Sequence, residues 1–129
     1  MPIILRRRTR QIRSKVLNAR DHSGEDLSHA RLYDLDLRGK VFRNANLSRS
    51  DLTACNLTGA DLEGADLTAA ILTGAQLNDA NLRSANLTGA YALATDFGGA
   101  QLDGAVLARV AYDQATTWPP GVKPPRPNQ

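Results

Sequence analysis

A large apolar residue recurs at every fifth position from Leu27 to Tyr112, with one lapse at Ala92, and this spacing is what most constrains the fold. Of these 18 positions, 14 are Leu, and 11 of the residues that stand two places before them are Ala. A five-residue step turns an α-helix by about 500°, so these leucines would not line one side of a helix. In a plain strand, side chains alternate between faces, so an odd spacing would send successive leucines to opposite sides. The spacing therefore indicates neither element alone.

Three-residue extended segments joined by two-residue corners account for the spacing. In each segment the small residue and the Leu point inward, and the polar residue between them points outward. The two residues after each Leu suit turns, as in Thr58-Gly59 and Thr88-Gly89. Repeated turning in one sense predicts a solenoid with a narrow core of Leu and Ala. Cys55 stands at a small inward position, so we expect a buried and unreactive thiol.

The repeated units share a motif. Ala60-Asp61-Leu62-Glu63-Gly64 and Ala80-Asn81-Leu82-Arg83-Ser84 both read Ala, then Asp or Asn, then Leu, then two further residues. This motif resembles that of the pentapeptide-repeat family, and the resemblance covers about residues 25–117. It implies an all-β fold, the right-handed quadrilateral β-helix, in which four pentads make one coil. The segment that ends in Trp118 further resembles a closing segment of cyanobacterial-type members, in which Trp118 would cover the last coil.

Both flanks of the repeats are predicted to act as caps, because the ends of a β-helix expose backbone edges and core. Within the basic segment 1–24, Leu5, Thr9, Ile12 and Val16 recur at i, i+4, i+7 and i+11. This mainly apolar stripe predicts an amphipathic α-helical cap over residues 3–18. Glu25 and Lys40 stand at inward positions, where an unpaired charge is costly, so we expect both at the open rim beneath this helix. The proline-rich tail, residues 118–129, cannot continue the ladder and is expected to be extended or disordered.

No combination of residues indicates catalysis, and the chain is predicted not to be an enzyme. His22 and His29 stand seven residues apart without a third His or a Cys at ligand spacing. They are interpreted as ordinary surface histidines, and no metal is expected. The outward Asp and Asn residues are expected on solvated strand faces, without the burial that tunes catalytic carboxylates. We therefore expect no cofactor and no small-molecule substrate.

Charge is distributed unevenly along the chain. Residues 1–24 hold seven basic residues and one acidic residue, whereas residues 51–113 hold two basic and eight acidic residues. The basic helix could contact nucleic-acid phosphates or an anionic membrane surface, or it could be only a cap with a solvated outer face. By family resemblance the acidic body supports another hypothesis, a DNA mimic that binds DNA gyrase, although Asn residues dilute the charge. The candidate contacts to an anionic surface are Arg6, Arg7, Arg8, Arg10 and Arg13.

The leading hypothesis is a non-enzymatic protein-interaction or regulatory module that presents a rigid β-helix face to a protein partner. On one side of the implied coil, Ile71 and Tyr91 stand at outward positions where the motif has Asp or Asn, and Leu93 occupies the next corner. Exposed apolar patches can mark partner sites, but this one could equally be a cross-strand contact that supports the ladder. Leu93 could also turn inward through a bulge that compensates for the small Ala92. The candidate partner-binding residues are Ile71, Tyr91 and Leu93.

A cytoplasmic location is expected from three features of the sequence. A single Cys fits a reducing compartment, and no run of about 18 apolar residues is present that could span a bilayer. Apolar Ile3-Ile4-Leu5 precedes basic Arg6-Arg7-Arg8, which reverses the order of a secretion signal. No export signal is therefore predicted.

Overall fold

One α-helix precedes a long ladder of short β-bridges in this protein. The structure, a computed structural model, describes residues 2–126. Helix α1 spans Ile3–Asn18, as the apolar spacing predicts. It ends because Ala19 turns to extended backbone, with φ of −126° and ψ of 152°. The β-structure of the described chain consists of single-residue parallel bridges between Asp21 and Thr117.

All the bridges of the described chain except the last join residues that are 20 apart, so each coil holds four pentads. The first bridge joins Asp21 to Val41, which places the start of the ladder earlier than the predicted residue 25. The reason is an additional pentad, residues 20–24, with His22 at its centre. The bridges line up in four columns that define the faces of a four-sided β-helix. The Asp21 face consists of residues 21, 41, 61, 81 and 101; the Asp26 face of 26, 46, 66, 86 and 106; the Arg31 face of 31, 51, 71, 91 and 111; and the Asp36 face of 36, 56, 76, 96 and 117.

Leu and Ala fill the interior, as the five-residue spacing predicts. Leu62 and Leu67 are fully buried, and so are Ala60 and Ala65, which stand two residues before them. Every inward position of either kind from residue 45 to residue 100 is buried. Burial of each Leu side chain stabilises the fold by roughly 1.5–3 kcal/mol. The core is therefore a continuous, mainly aliphatic column along the axis.

Each corner turns through a residue with left-handed backbone. At the corner after Leu27, the Ala30 N–H donates to the Leu27 carbonyl at 3.2 Å, and His29 between them has a φ of 60°. The second corner residue has a positive φ in every pentad from Gly24 to Arg109, whether or not it is Gly. This conformation costs a residue other than Gly roughly 1–2 kcal/mol. The corners therefore require stabilisation from elsewhere.

The outward Asp and Asn residues supply that stabilisation. Asp66 Oδ1 accepts a hydrogen bond from the Thr68 N–H at 2.9 Å, and Asn86 Oδ1 accepts one from the Thr88 N–H at 3.0 Å. This is an Asx turn, in which a side chain bonds the backbone two residues further on. The motif's preference for Asp or Asn thus has a structural cause beyond the solvated strand face predicted from the sequence.

The last coil contains one additional residue and ends in aromatic side chains. Asp96 bridges Thr117, a spacing of 21 residues instead of 20. The Thr116 hydroxyl donates to the Ala92 carbonyl at 2.7 Å and holds this wider corner against the coil before it. Trp118 is the next residue, and it packs against the core at the last coil, as the resemblance predicts.

The proline-rich tail folds back over this end of the molecule. The Tyr112 hydroxyl donates to the Pro125 carbonyl at 2.7 Å, and Val122 packs against the core. Pro119 is buried. The tail does not extend the ladder, as predicted, and residues 119–126 contain a turn at 120–121 and no helix or strand. Residues 127–129 lie outside the described part of the chain.

Candidate functional site on the Arg31 face and the basic end

The Arg31 face brings the three predicted partner-binding residues together. Ile71 bridges Tyr91 directly, and Leu93 lies at the corner that follows Tyr91. Tyr91 is 50% exposed and Leu93 is 36% exposed, whereas Ile71 is half-buried between neighbouring coils. These three residues form one apolar surface, which we call the Tyr91 patch.

The backbone remains regular beside Ala92, so the predicted alternative of an inward Leu93 bulge is wrong. The Ala92 N–H donates to the Ala111 carbonyl at 2.7 Å, and the Gly74 N–H donates to the Leu93 carbonyl at 2.9 Å. The ladder therefore continues on both sides of this coil. Ala92 is fully buried without help from Leu93, which instead adds to the exposed patch.

Arg13, one of the predicted anionic-surface contacts, is engaged within the protein. Its Nη1 donates to the Tyr33 carbonyl at 2.9 Å and to the Arg31 carbonyl at 3.2 Å. Its guanidinium also lies 4.5 Å from the centre of the Tyr33 ring, a cation–π contact. Arg13 thus satisfies carbonyl groups at the open edge of the first coil. Its sequence position on a basic helix carried no signal for this capping role.

His22 is buried, so its interpretation as a surface histidine is wrong. Its Nε2 lies 3.0 Å from the Val16 carbonyl and 2.9 Å from the Ala19 carbonyl, where it donates to the end of α1. Its ring stacks on Phe42, with centroids 5.4 Å apart. The available signal was the five-residue frame, because His22 stands five residues before Leu27, at a centre position.

The charged residues at inward positions lie beneath α1, as predicted. Lys40 Nζ donates to the Ala19 carbonyl at 2.6 Å and to the Leu17 carbonyl at 3.1 Å. Glu25 lies 3.2 Å from Lys15 Nζ and 3.3 Å from His22 Nδ1. These contacts hold the C-terminal half of α1 on the first coil and compensate the charges that the rim would otherwise leave unpaired.

The first half of α1 is exposed. Ile3 and Ile4 are 64% and 66% exposed, and Leu5 is exposed as well. Arg6, Arg7, Arg8 and Arg10 follow on this half, and all four are exposed. An open groove of about 540 Å³ runs between this part of the helix and the first coil. The basic end therefore combines arginine side chains with exposed apolar side chains.

In the described residues, the side chains that a metal site or a reactive thiol would use lie dispersed or buried. Within residues 2–126, no three His, Cys, Asp or Glu residues are grouped so that they could hold a metal ion. The Cys55 thiol is buried and donates to the Leu32 carbonyl at 2.8 Å. Burial raises the pKa of Cys55 to about 11, so it stays protonated and weakly nucleophilic near neutral pH. None of the helices in residues 2–126 is long and apolar enough to cross a membrane.

The carboxylates of the body are interleaved with neutral and basic groups. Arg43 pairs with Glu63 at 2.7 Å and with Asp61 at 3.1 Å on the Asp21 face. Asn81 Nδ2 donates to the same Asp61 carboxylate at 3.2 Å. On the Asp36 face, hydrogen bonds from Arg38 hold the pKa of Asp36 at about 2. The negative charge is therefore divided into small, partly neutralised groups.

The chain matches known sequences and structures through its repeats. A family model described as pentapeptide repeats matches in 8 copies, over residues 26–64, 60–92 and 70–109. No curated protein matches. A pentapeptide repeat protein from the Arabidopsis thaliana thylakoid lumen is 35% identical over 73% of this chain and 69% of that one, with a TM-score of 0.46.

Two cyanobacterial structures are also similar. The pentapeptide repeat protein Rfr23 from Cyanothece 51142 is 36% identical over 76% of this chain and 63% of that one, with a TM-score of 0.35. One from Nostoc PCC 7120 is 29% identical over 91% of this chain and 87% of that one, with a TM-score of 0.42. The family model covers most of the bridged ladder. Membership of this family implies that the coil is right-handed. This chain belongs to the pentapeptide-repeat family.

Proposed function

We propose that this protein is a non-enzymatic interaction module that binds a protein partner through the Tyr91 patch. The observation that carries the proposal is the half-exposed Tyr91 beside Ile71 and Leu93, on a ladder whose outward positions are mainly polar. Tyrosine is enriched among the residues that contribute most to protein-protein binding, because it buries a large area with few rotatable bonds.

The patch departs from the motif at a cost to the fold. Ile71 and Tyr91 have no side-chain oxygen placed to accept the N–H two residues further on, as Asp66 does from Thr68. Each substitution therefore forgoes an Asx hydrogen bond of roughly 0.5–1.5 kcal/mol. It also leaves apolar surface in water. Partner binding would account for both features, because the patch would be covered in the complex.

The backbone beneath the Tyr91 patch is held by the ladder, so the patch is a preformed surface for a partner. Both backbone groups of Tyr91 are hydrogen-bonded to the preceding coil, since its N–H donates to the Ala70 carbonyl and its carbonyl accepts from the Leu72 N–H. Little conformational entropy would be lost on binding, because the ladder already holds the side chains in place. The half-buried Asp51 and Thr73 lie next to the patch and provide a polar rim.

The experiment is a comparison of partner capture by restored-motif variants. The double variant Ile71→Asn/Tyr91→Asn returns both positions to the motif, so it should retain or raise thermal stability. The matched control, Gln76→Asn, makes the same kind of change on the Asp36 face. The wild type and the two variants would each be used as bait, and their partners would be cross-linked and captured from the source cells. The amount of each captured protein would then be compared between the three baits. We expect a partner that the wild type and Gln76→Asn capture and that the double variant loses.

Equal capture by all three baits would reject the Tyr91 patch as the binding surface. DNA mimicry, the alternative suggested by the acidic body, predicts inhibition of DNA gyrase in a supercoiling assay instead. The arrangement of the body does not favour it, because Asn46 and Asn86 flank Asp66 along the Asp26 face, and Arg43 neutralises carboxylates on another. Inhibition that survives the Ile71→Asn/Tyr91→Asn change would support mimicry over the proposed patch.

A further inference from the structure

The first turn of α1 exposes apolar side chains that the cap does not use. Ile3 and Ile4 are 64% and 66% exposed, and Leu5 is 44% exposed. Val16, in contrast, is fully buried, and Ile12 packs against the core. The C-terminal half of the helix therefore covers the end of the β-helix, and the first turn has no part in that packing.

Positive charge directly follows these apolar residues. Arg7, Arg8 and Arg10 are exposed on the second and third turns, together with Arg6. With a rise of about 1.5 Å per residue, Ile3 and Arg10 are separated by roughly 10 Å along the helix axis. An interfacial helix places its apolar side chains about 5–10 Å into the boundary between headgroups and acyl chains. Arginines at this distance from the apolar turn would meet lipid phosphates.

We propose that the first half of α1 binds an anionic lipid bilayer, with Ile3, Ile4 and Leu5 inserted at the acyl boundary and Arg7, Arg8 and Arg10 on lipid phosphates. The charge of the chain supports this orientation. Residues 1–24 carry seven basic residues and one acidic residue, whereas residues 51–113 carry eight acidic and two basic residues. An anionic surface would attract the basic end and repel the body, so the β-helix would stand away from the membrane.

Lipid is favoured over nucleic acid by the composition of the exposed turns. Binding to nucleic-acid phosphates would use the arginines alone and would leave the exposed isoleucines in water. Stacking on bases requires aromatic side chains, and α1 contains none. A bilayer uses both the apolar and the basic residues. The inference does not depend on the Tyr91 patch, which lies on a side face of the β-helix.

The first experiment is co-sedimentation of the full chain with phosphatidylcholine vesicles and with vesicles that also contain phosphatidylserine. We expect binding to the anionic vesicles only, weakened by salt. Arg7→Gln/Arg10→Gln should weaken it about 25-fold at low salt, since each basic residue near the surface contributes about fivefold. Ile3→Ser/Ile4→Ser should also weaken it strongly while leaving the charge unchanged. The matched control, Arg49→Gln/Arg109→Gln, removes the same charge from exposed corners of the body and should have little effect.

The second experiment reports insertion directly. An environment-sensitive dye would be attached to Ile4→Cys, and buried Cys55 should remain unlabelled in the folded protein. Anionic vesicles should shift the dye emission to shorter wavelength, and the same dye on Ser84→Cys in the body should not respond. Unchanged circular dichroism and melting would show that the variants are folded, as expected for exposed positions.

Several outcomes would overturn the lipid proposal. The first is equal binding to neutral and anionic vesicles, and the second is unchanged emission at position 4 on anionic vesicles. The third is binding to a DNA or RNA duplex that Arg7→Gln/Arg10→Gln reduces and Ile3→Ser/Ile4→Ser does not, in the absence of vesicle binding. Nucleic-acid phosphates would then be the ligand of the basic end.

Discussion

Trp118 stacks on Phe97 with ring centroids 4.8 Å apart and an angle of 14° between the rings. Tyr112 meets the same indole edge-on at 5.6 Å. Phe97 is the last aromatic residue of the buried column, so this contact joins the end of the core to the segment that closes it. The C-terminal end of the β-helix is therefore sealed by aromatic packing, whereas α1 and its hydrogen bonds seal the other end.

Removal of the Trp118 ring should destabilise the protein strongly. Trp118→Ala exposes the face of Phe97 and removes the support for Tyr112, so we expect the free energy of unfolding to fall by about 3 kcal/mol. Trp118→Phe keeps the stacking and should lose less than about 1.5 kcal/mol. Urea denaturation followed by circular dichroism measures both. Equal stabilities of Trp118→Ala and the wild type would mean that the aromatic cap contributes nothing to the fold.

Loss of the His22 ring should release α1 from the first coil. His22→Ala removes the His22 donor from the Val16 carbonyl and one of the two side-chain donors from the Ala19 carbonyl, and it opens space beside Phe42. We therefore expect a loss of about 2–3 kcal/mol. Hydrogen exchange of the α1 amides should accelerate more than exchange in the coils. His29→Asn is the control, since His29 is exposed at a left-handed corner that Asn tolerates. Comparable exchange in both variants would contradict the anchoring role of His22.

The Cys55 thiol should resist alkylation in the folded protein. Its pKa is raised to about 11 by burial, and its Sγ–H donates to the Leu32 carbonyl, so little thiolate forms near neutral pH. We expect iodoacetamide to modify it only after denaturant unfolds the chain, as measured by intact-mass spectrometry. Modification at the same rate in the presence and absence of denaturant would show that the first turns of the coil open readily.

Acid should weaken the fold through the carboxylates of the Asx turns. Hydrogen bonds from Arg38 hold the pKa of Asp36 at about 2, and hydroxyl and backbone donors lower those of Asp21, Asp26 and Asp113. Their unfolded pKa values lie near 3.8, so this stabilisation is present above that pH. It is lost as the pH falls through the lower folded values.

Urea midpoints measured at a series of pH values test this acid dependence. We expect the midpoint to fall between about pH 4 and pH 2, the interval between the unfolded and folded pKa of Asp36. Asp36→Asn retains a side-chain oxygen for the turn and loses the charge, so its midpoint should depend less on pH. A midpoint that stays constant across this interval would show that these hydrogen bonds do not contribute to stability.

The interior of the molecule could be predicted from the sequence, whereas several residues at its ends could not. The sequence predicts Leu67 in the core because it is the centre residue of its pentad, and that position faces the axis of the solenoid. His22 occupies the same frame, but its polar ring is stable there only because α1 provides carbonyl acceptors above it. Arg13 likewise caps the edge because the helix crosses the first coil at that point, and no local pattern encodes the crossing.

The spacing by itself determined which side chains face the axis. When every pentad places two apolar residues on the same side of a three-residue segment, the chain must turn before the next segment begins. This requirement does not depend on the surroundings of the segment. The number of sides in a coil is not encoded in that period, and it decides which outward residues become neighbours. Ile71 and Tyr91 meet because four sides complete one coil. The period alone therefore does not place the Tyr91 patch: the family resemblance predicts it, and the tertiary structure pairs Ile71 with Tyr91. Only the docking of α1 through its second half left Ile3 and Ile4 exposed.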